Sequence, residues 1–393
     1  FAALKMSSGT KVRITPSIYW RRHHDRFELF RYEPAAWYSG HNYHLTDVYG
    51  TNLNMLIPWV AGHTSIGGEL RSENVWSNTL GHEMLEPKPV PGEDSEFTKH
   101  YGRSNASLFV EHTYTYERLS VSGGLLMNAN SGLDWKYDFF PGFDVSYQFS
   151  GGWRMYGSLN NSLRMPTFTD LFYSGPTDEG NVELRPEEAI TYEGGFKFSD
   201  GVFAGQLGAF YREGKDLIDW GKYNGEAKNK ARNVGQVNSW GVEALLKVNM
   251  REWIHPQCFI YSIEASYAWL DQDHKNIPGY ESKYVLDFLK HKANFRVHHA
   301  IVSKLQMTWN VLYQDRNGSF ESYLGKDSEG KDRFETIEYQ SFLIVDTRLS
   351  WVEKQFRIYL EATNLLDETY QDIGDLTQPG RWIKGGIQFS LNL

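Results

Sequence analysis

Apolar and polar residues alternate with a period of two in several segments of this chain. The closing segment 380–393 shows an apolar and a polar side: Ile383, Ile387, Phe389 and Leu391 against Lys384, Gln388 and Ser390. Segments 242–249, 259–269 and 342–351 alternate in the same way. Because successive side chains leave an extended backbone on opposite faces, this period predicts β-strands. The chain is therefore predicted to be all-β.

Charged residues occupy the centres of these predicted strands. Lys247, Glu264 and Arg348 lie on the polar side, where a sandwich core would have to bury them. Burying an unpaired charge is costly, whereas a water-filled lumen accepts it. Aromatic residues make up 15% of the chain and suit the headgroup level of a membrane. No run of about 20 apolar residues is present, so the pattern excludes transmembrane helices and favours a transmembrane β-barrel.

The connections between the predicted strands alternate in length. Long ones are expected at 76–97, 165–186, 214–230, 271–287, 316–337 and 364–380, a moderate one at 32–41, and short ones at 57–62, 150–152, 199–201, 250–256, around 299–302 and at 352–355. Outer-membrane barrels sort their connections into long extracellular loops and tight periplasmic turns, whereas propellers and sandwiches do not. We therefore predict a transmembrane antiparallel up-and-down β-barrel over residues 1–393, with about 18 strands.

The composition excludes several classes of function. The formal net charge of −9 leaves no basic face for phosphates, so a nucleic-acid partner is not expected. Cys258 is the single cysteine, which excludes an internal disulfide. No nucleophile–base group, phosphate-binding loop or paired-carboxylate site is recognisable, so the protein is not predicted to be an enzyme.

Metal binding has little support in the sequence. In the pairs His23–His24 and His298–His299, adjacent side chains on a strand point to opposite faces and cannot share a metal. The acidic runs 92–96 and 326–332 are candidates for loop calcium, but they lack the ligand order of a dedicated calcium loop. We expect no cofactor and no protein metal site, and we interpret both runs as solvated surface.

Two motifs stand in order along the chain. The first reads Arg-x-Pro-Thr, an acidic-Leu pair, and then Gly-Asn-x-x-Leu-x-Pro-Glu, with Arg164, Pro166, Asn181, Leu184, Pro186 and Glu187. The second reads Asn-Leu-x-Asp and later Pro-Gly-Arg, with Asn364, Asp367 and Arg381. Both prolines suit places where a strand ladder ends or begins, because proline has no amide hydrogen to donate. Together the motifs resemble the late-barrel signature of TonB-dependent outer-membrane receptors.

This resemblance implies a barrel of 22 strands in the bacterial outer membrane, preceded by a plug domain. The plug and roughly the first four strands are expected to be absent from this chain. The partners implied are the TonB energising complex, which would act through the missing plug, outer-membrane lipid and a small-molecule nutrient. A surface lipoprotein that caps the barrel is a further candidate. The resemblance predicts active import rather than a passive porin or an outer-membrane barrel enzyme.

The cargo is predicted from a second resemblance. Residues 37–54 resemble a segment of Bacteroidetes receptors of the cobalamin-receptor type, which favours vitamin B12. A ferric siderophore is the alternative. Haem is less favoured, because haem receptors of this family carry a histidine between the two halves of the first motif, whereas 167–180 contains none.

Aromatic residues in the predicted outer loops are the candidate ligand contacts. An amphipathic ligand with a flat ring and polar arms calls for aromatic platforms beside hydroxyl and amide groups. The candidates are Tyr38, His41, Phe172, Tyr173, Trp220, Tyr223, Tyr280 and Tyr323. Lys215, Lys222, Lys228 and Lys230 form a basic group in one loop, which would suit an anionic ferric complex instead.

Overall fold

The computed structural model describes residues 2–9, 11–28, 38, 40–175, 177–274, 278–283, 287–326, 328, 330 and 332–390. Eighteen strands form the main sheet: β1 (Ala2–Lys5), β2 (Arg13–Phe27), β3 (Asn42–Trp59), β4 (Gly62–Ser77), β5 (His82–Pro89), β6 (Glu96–Tyr116), β7 (Leu119–Asn130), β8 (Tyr137–Gln148), β9 (Trp153–Arg164), β11 (Glu187–Ser199), β12 (Phe203–Lys215), β15 (Gln236–Asn249), β16 (Ile260–His274), β18 (Leu289–Val302), β19 (Leu305–Arg316), β22 (Phe342–Val352), β23 (Phe356–Thr363) and β24 (Trp382–Phe389). Shorter elements lie in the connections: α1 (Phe168–Phe172), β10 (Asp178–Glu179), β13 (Ile218–Tyr223), β14 (Asn229–Asn233), α2 (Met250–Trp253), β17 (Tyr280–Ser282), β20 (Ser319–Lys326), β21 (Asp332–Glu338) and a 3₁₀ turn at Ser131–Leu133.

The main sheet is an antiparallel meander. Each long strand pairs with the next long strand along the chain, from β1 through to β24. β5 pairs with the outer end of β6, where Lys99 and His100 also pair with β4. In the described part of the chain, no ladder joins β24 to β1. The up-and-down all-β architecture and the number of sheet strands are thereby confirmed.

The connections alternate in length without exception along this meander. The tight ones include 60–61, 117–118, 149–152, 200–202, 303–304 and 353–355, and the next connection in each case is longer. The predicted turn around 299–302 lies slightly further on, because β18 continues to Val302. In an antiparallel meander, connections of one parity share an edge, so the long loops form one rim of the sheet and the tight turns form the other.

The two faces of the sheet can be followed from strand to strand, because directly opposed residues share a face. On one face, Lys247 Nζ lies 2.8 Å from Glu264 Oε1, and Arg296 Nη1 lies 3.7 Å from Glu264 Oε2. A second row joins Arg348, Glu361 and Lys384. The predicted charged face therefore exists, and its charges are paired across strands.

The opposite face is apolar and exposed. Ile383, Ile387 and Phe389 of β24 lie opposite Ala362, Ile358 and Phe356 of β23, as the alternation predicted; Leu391 lies outside the described residues. Exposed aromatic residues mark both ends of this face. Those near the tight turns are Trp59, Tyr116, Tyr147, Trp153, Trp351 and Phe389, and those nearer the long loops are Tyr49, Tyr137, Tyr192, Tyr211 and Tyr267. Two aromatic rows around an apolar band are typical of a transmembrane barrel.

Helices contribute little to this fold. None of the helices in the described residues is long and apolar enough to cross a membrane.

Candidate functional site

A charged pair closes the base of the loop at 165–186. Arg164 at the end of β9 lies directly opposite Glu187 at the start of β11. The guanidinium donates from Nε at 2.7 Å and from Nη2 at 2.5 Å to the two carboxylate oxygens. Glu187 is buried and also accepts a hydrogen bond from the backbone N–H of Ile218 at 2.7 Å. A bidentate pair of this kind fixes geometry as well as charge, so it holds two loops to the rim.

The helix α1 begins this loop with a capping box. The N–H of Asp170 donates to Thr167 Oγ1 at 3.0 Å, and the N–H of Thr167 donates to Asp170 Oδ2 at 2.9 Å. Two orphan amides at the helix start are thereby satisfied. The buried Asp170 also accepts a hydrogen bond from Trp220 Nε1 at 3.0 Å. A helix cap and a side chain from a second loop therefore share one carboxylate.

The remaining residues of the first motif have structural contacts. Pro166 O accepts from Arg103 Nη1 at 2.6 Å, and Asn181 N donates to Asp170 O at 2.8 Å. Leu184 is buried in a small core with Ile218 and Ala231. Pro186 directly precedes β11, where a ladder begins. This motif therefore holds the loop against the rim sheet and β6.

The second motif forms a cluster of hydrogen bonds at the base of the last long loop. Asn364 has a left-handed backbone, with φ of 49°, and its side chain accepts from Glu368 N at 2.9 Å and donates to Glu368 O at 2.8 Å. Its own N–H donates to Asp346 Oδ1 at 2.9 Å. Asp367 Oδ1 accepts from the N–H of Arg381 at 2.7 Å. The three predicted residues therefore hold both ends of this loop together.

Three long loops join into a four-stranded sheet above the rim. Its order is β10–β14–β13–β17, and its strands come from the loops that follow β9, β12 and β16. We call it the rim sheet. Lys283 Nζ donates to Asp178 Oδ1 at 2.8 Å across two of these loops. Burial alone would raise the pKa of Asp178, but the hydrogen bonds from Lys283 and Thr177 outweigh it and hold that pKa below its usual value.

Four of the predicted aromatic candidates lie in or against the rim sheet. The rings of Tyr223 and Tyr280 are 5.2 Å apart, and those of Tyr173 and Trp220 are 6.2 Å apart. Phe172 packs away from the sheet, against His82 and Tyr101, with ring separations of 5.1 and 4.7 Å.

The exposure of the rim-sheet aromatic side chains separates those that could contact a ligand from those that pack. Tyr280 donates from Oη to the buried Asp219 at 3.2 Å, and burial together with the Asp219 charge raises the pKa of Tyr280. Trp220 is held by Asp170 through its indole N–H. Tyr223 remains 40% exposed and is the most accessible ring of the group.

The other aromatic candidates are not brought to the rim sheet by any described contact. Tyr38 Oη and His41 Nδ1 lie 2.8 Å apart beside Tyr43, which belongs to a separate small core with Val90 and Phe97. The backbone of Tyr323 lies in β20, and its side chain falls outside the described residues.

Most of the loop lysines are engaged by neighbouring groups. Lys222 Nζ lies 3.4 Å from Glu281 and 3.6 Å from Glu321, and Lys230 Nζ lies 3.9 Å from Glu179. Lys228 Nζ donates to Gly175 O at 2.8 Å. Three of the four predicted basic residues therefore balance or hold the rim sheet itself.

A second junction connects the last three long loops, and no sequence pattern predicted it. Tyr339 Oη accepts from Gly374 N at 2.8 Å and donates to Asp287 Oδ2 at 3.4 Å. Arg316 donates to Asp287 O at 2.8 Å and to Asp372 Oδ1 at 3.0 Å. Burial raises the pKa of Asp287 to about 6, although Tyr339 and Arg316 lower it. We call this group the Asp287 junction.

Comparison with known proteins identifies the family. Residues 6–365 match the family described as TonB dependent receptor-like, beta-barrel. This chain belongs to that family. The receptor barrel therefore lies in the outer membrane, and the comparisons favour a receptor over a porin or a barrel enzyme.

Solved structures show the same fold. The siderophore receptor PirA from Acinetobacter baumannii has a TM-score of 0.70 and 14% identity, with 99% of this chain and 62% of that chain covered. The copper transporter OprC gives 0.71 and 14%, with 99% and 65% covered. A mutant ferric enterobactin receptor from Pseudomonas aeruginosa gives 0.70 and 14%, with 98% and 61% covered. The receptor chain thus spans less than two thirds of these proteins, and the likeness shows the fold.

Proposed function

We propose that this receptor barrel captures cobalamin at its outer rim and imports it with energy from the TonB complex. The energy would reach the barrel through the plug domain that the family resemblance implies. The rim sheet is the proposed capture surface, because it joins three long loops and presents aromatic and hydroxyl groups together. Such a surface suits a ligand with a flat ring and polar arms. A surface lipoprotein remains a candidate partner at this rim.

The charge balance of the rim sheet is the observation that carries this proposal. Lys222, Lys230 and Lys283 each face a carboxylate, and Arg232 lies 2.6 Å from Glu226. A polyanionic ferric complex needs cations that are free to meet it. A ligand held mainly by aromatic contact and amide hydrogen bonds does not. The rim sheet therefore favours cobalamin over an anionic iron complex.

A ferric siderophore is the second candidate. It is favoured by the solved structures of the same fold, two of which are named as a siderophore receptor and a ferric enterobactin receptor. Haem remains less favoured, since α1 and the rest of the 167–180 segment supply no histidine.

Titration of the purified full-length receptor with cyanocobalamin and with ferric enterobactin tests the proposal. We expect cyanocobalamin to bind at or below micromolar concentration and more tightly than the iron complex. If only the iron complex binds, the cargo assignment is wrong and the family assignment stands.

Replacing one exposed ring tests the capture surface itself. Tyr223→Ala should weaken binding of the cargo about fivefold, because stacking on an exposed ring contributes about 1 kcal/mol beyond area burial. Tyr192→Ala is the matched control, because Tyr192 is equally exposed, at 41%, but lies on the apolar outer face. Equal weakening in both variants would contradict a role for the rim sheet.

A further inference from the structure

A hydrogen-bond network of three side chains joins three neighbouring strands near the tight-turn edge. Trp59 ends β3, Thr64 lies near the start of β4, and His112 lies near the end of β6. Trp59 Nε1 donates to Thr64 Oγ1 at 2.7 Å, and Thr64 Oγ1 lies 2.8 Å from His112 Nδ1. Thr64 and His112 are directly opposed in their ladder. One continuous hydrogen-bond network therefore extends from the aromatic row toward the middle of the barrel wall.

The Trp59–Thr64–His112 network lies on the lipid-facing side of the barrel. His112 alternates with Val110 and Tyr114, which are both exposed on the apolar face. Its immediate neighbours Glu111 and Thr113 point to the opposite, charged face. His112 is itself exposed. A polar ring on the lipid side of a strand needs a partner that lipid can supply.

The hydrogen-bond directions within this network follow from the chemistry of its donor and acceptor groups. An indole N–H can only donate, so Thr64 Oγ1 accepts from Trp59. The hydroxyl hydrogen of Thr64 is then satisfied if His112 Nδ1 accepts it. In the reverse arrangement that hydrogen needs another acceptor, and the described contacts supply none. A neutral imidazole that accepts at Nδ1 carries its hydrogen on Nε2, so His112 presents an N–H donor.

The depth of His112 selects the kind of acceptor. Gly62 lies opposite both Trp59 and Tyr114, so on this face His112 lies two residues deeper than Trp59. At about 3.3 Å per residue and a tilt of about 40°, this is roughly 5 Å toward the membrane centre. The headgroup layer is only about 5–7 Å thick on each side, so with the Trp59 ring at the headgroup level His112 lies at the level of the glycerol esters. An unpaired N–H at that depth is costly because no water is present to accept its hydrogen bond, whereas an ester carbonyl oxygen satisfies it.

We propose that Trp59, Thr64 and His112 form a binding site for a glycerophospholipid of the periplasmic leaflet. His112 Nε2–H donates to an ester carbonyl of the lipid, and Thr64 holds the imidazole in the required tautomer. Trp59 sets the donor–acceptor direction of the hydrogen-bond network and places its ring at the headgroup level. The site is independent of the cargo and of the outer rim.

Native mass spectrometry of the full-length receptor tests this site with two lipids. The probes are a diester phosphatidylethanolamine and its diether analogue, which lacks the carbonyl oxygens. We expect the receptor to retain the diester lipid about fivefold more tightly, as one net hydrogen bond predicts. Equal retention of the two lipids by the unmodified receptor would overturn the proposal.

Variants on adjacent positions locate the effect. His112→Leu should abolish the preference for the ester lipid, and Thr64→Val should reduce it by releasing the tautomer. His63→Leu is the matched control, because His63 neighbours Thr64 on β4 but points to the charged face, opposite Thr113. Heat-modifiable migration on gels checks that each variant forms a barrel. A preference that survives in His112→Leu, or is lost equally in His63→Leu, would overturn the site.

Discussion

At the scale of single residues, the carboxylate of Glu187 has the clearest structural role. The motif containing it was recognisable in the sequence by resemblance, but its contacts were not. Glu187 accepts from Arg164 and from the backbone of Ile218, and these partners come from separate segments of the chain. Long-range contacts of this kind leave no periodic trace in the sequence. The residue could therefore be predicted from the motif, whereas its role in joining Arg164 to the backbone of Ile218 could not.

Removing the charge of Glu187 should loosen the outer rim. We expect Glu187→Gln to destabilise the loop at 165–186 by about 2 kcal/mol, because a charge-assisted bidentate pair becomes a weaker one. Faster hydrogen exchange in this loop, with the strands of the barrel unchanged, is the measurement. Glu188→Gln is the control, since Glu188 is exposed. Unchanged exchange in Glu187→Gln would contradict this role of Glu187.

At the scale of elements, the alternation of residues in the strands was reliable and the strand ends were not. The register of β23 and β24 follows the period of two, because a slip by one residue would exchange the two faces. In contrast, parts of the predicted loops are strands. β6 has 21 residues, and β5 and the rim sheet lie in segments predicted to be connections. Lys283 and Asp178 are 105 positions apart, so no local pattern could predict their contact.

The final strand offers a direct test of its two faces. Ile387→Arg should destabilise the barrel by roughly 1 kcal/mol, because Ile387 lies on the lipid side level with Trp351, where a charge costs less than at the midplane. Gln388→Arg should cost much less, because Gln388 lies on the charged face. Urea unfolding of the refolded receptor in lipid measures both variants. Equal losses would contradict the assignment of faces.

The Asp287 junction predicts that the outer loops respond to pH. Burial raises the pKa of Asp287 from an ordinary value near 3.8 to about 6, with the nearby Asp219 charge raising it further and Arg316 lowering it. The closed junction therefore binds a proton that the open loop releases. Closure is favoured as the pH falls through 6, by about tenfold between pH 7.5 and pH 5.

Hydrogen exchange at Gly374 measures this response, because its N–H donates to Tyr339 within the junction. After correction for intrinsic exchange, protection should rise toward pH 5. Asp287→Asn should remove the pH dependence, since an amide does not titrate in this range. Protection that falls toward pH 5 would contradict the prediction that protonation of Asp287 favours the closed junction.

At the scale of the whole molecule, the length alternation of the connections gave the topology. Long and tight connections lie on opposite edges, as the parity in the sequence predicted. The family match then places this barrel in the outer membrane. In our proposal, the cargo is selected by the way three loops assemble into the rim sheet. In the structure, Lys222 and Lys230 of the predicted basic group face carboxylates and Lys228 binds a backbone carbonyl.

Labelling of intact cells with a membrane-impermeant maleimide tests the orientation of the barrel most directly. In a Cys258→Ser background, Ser328→Cys lies in the long connection after β19 and Lys354→Cys lies in the tight turn before β23. We predict that Ser328→Cys reacts on intact cells and that Lys354→Cys reacts only after the outer membrane is permeabilised. Reaction of Lys354→Cys but not Ser328→Cys on intact cells would contradict the capture of cargo at the rim sheet.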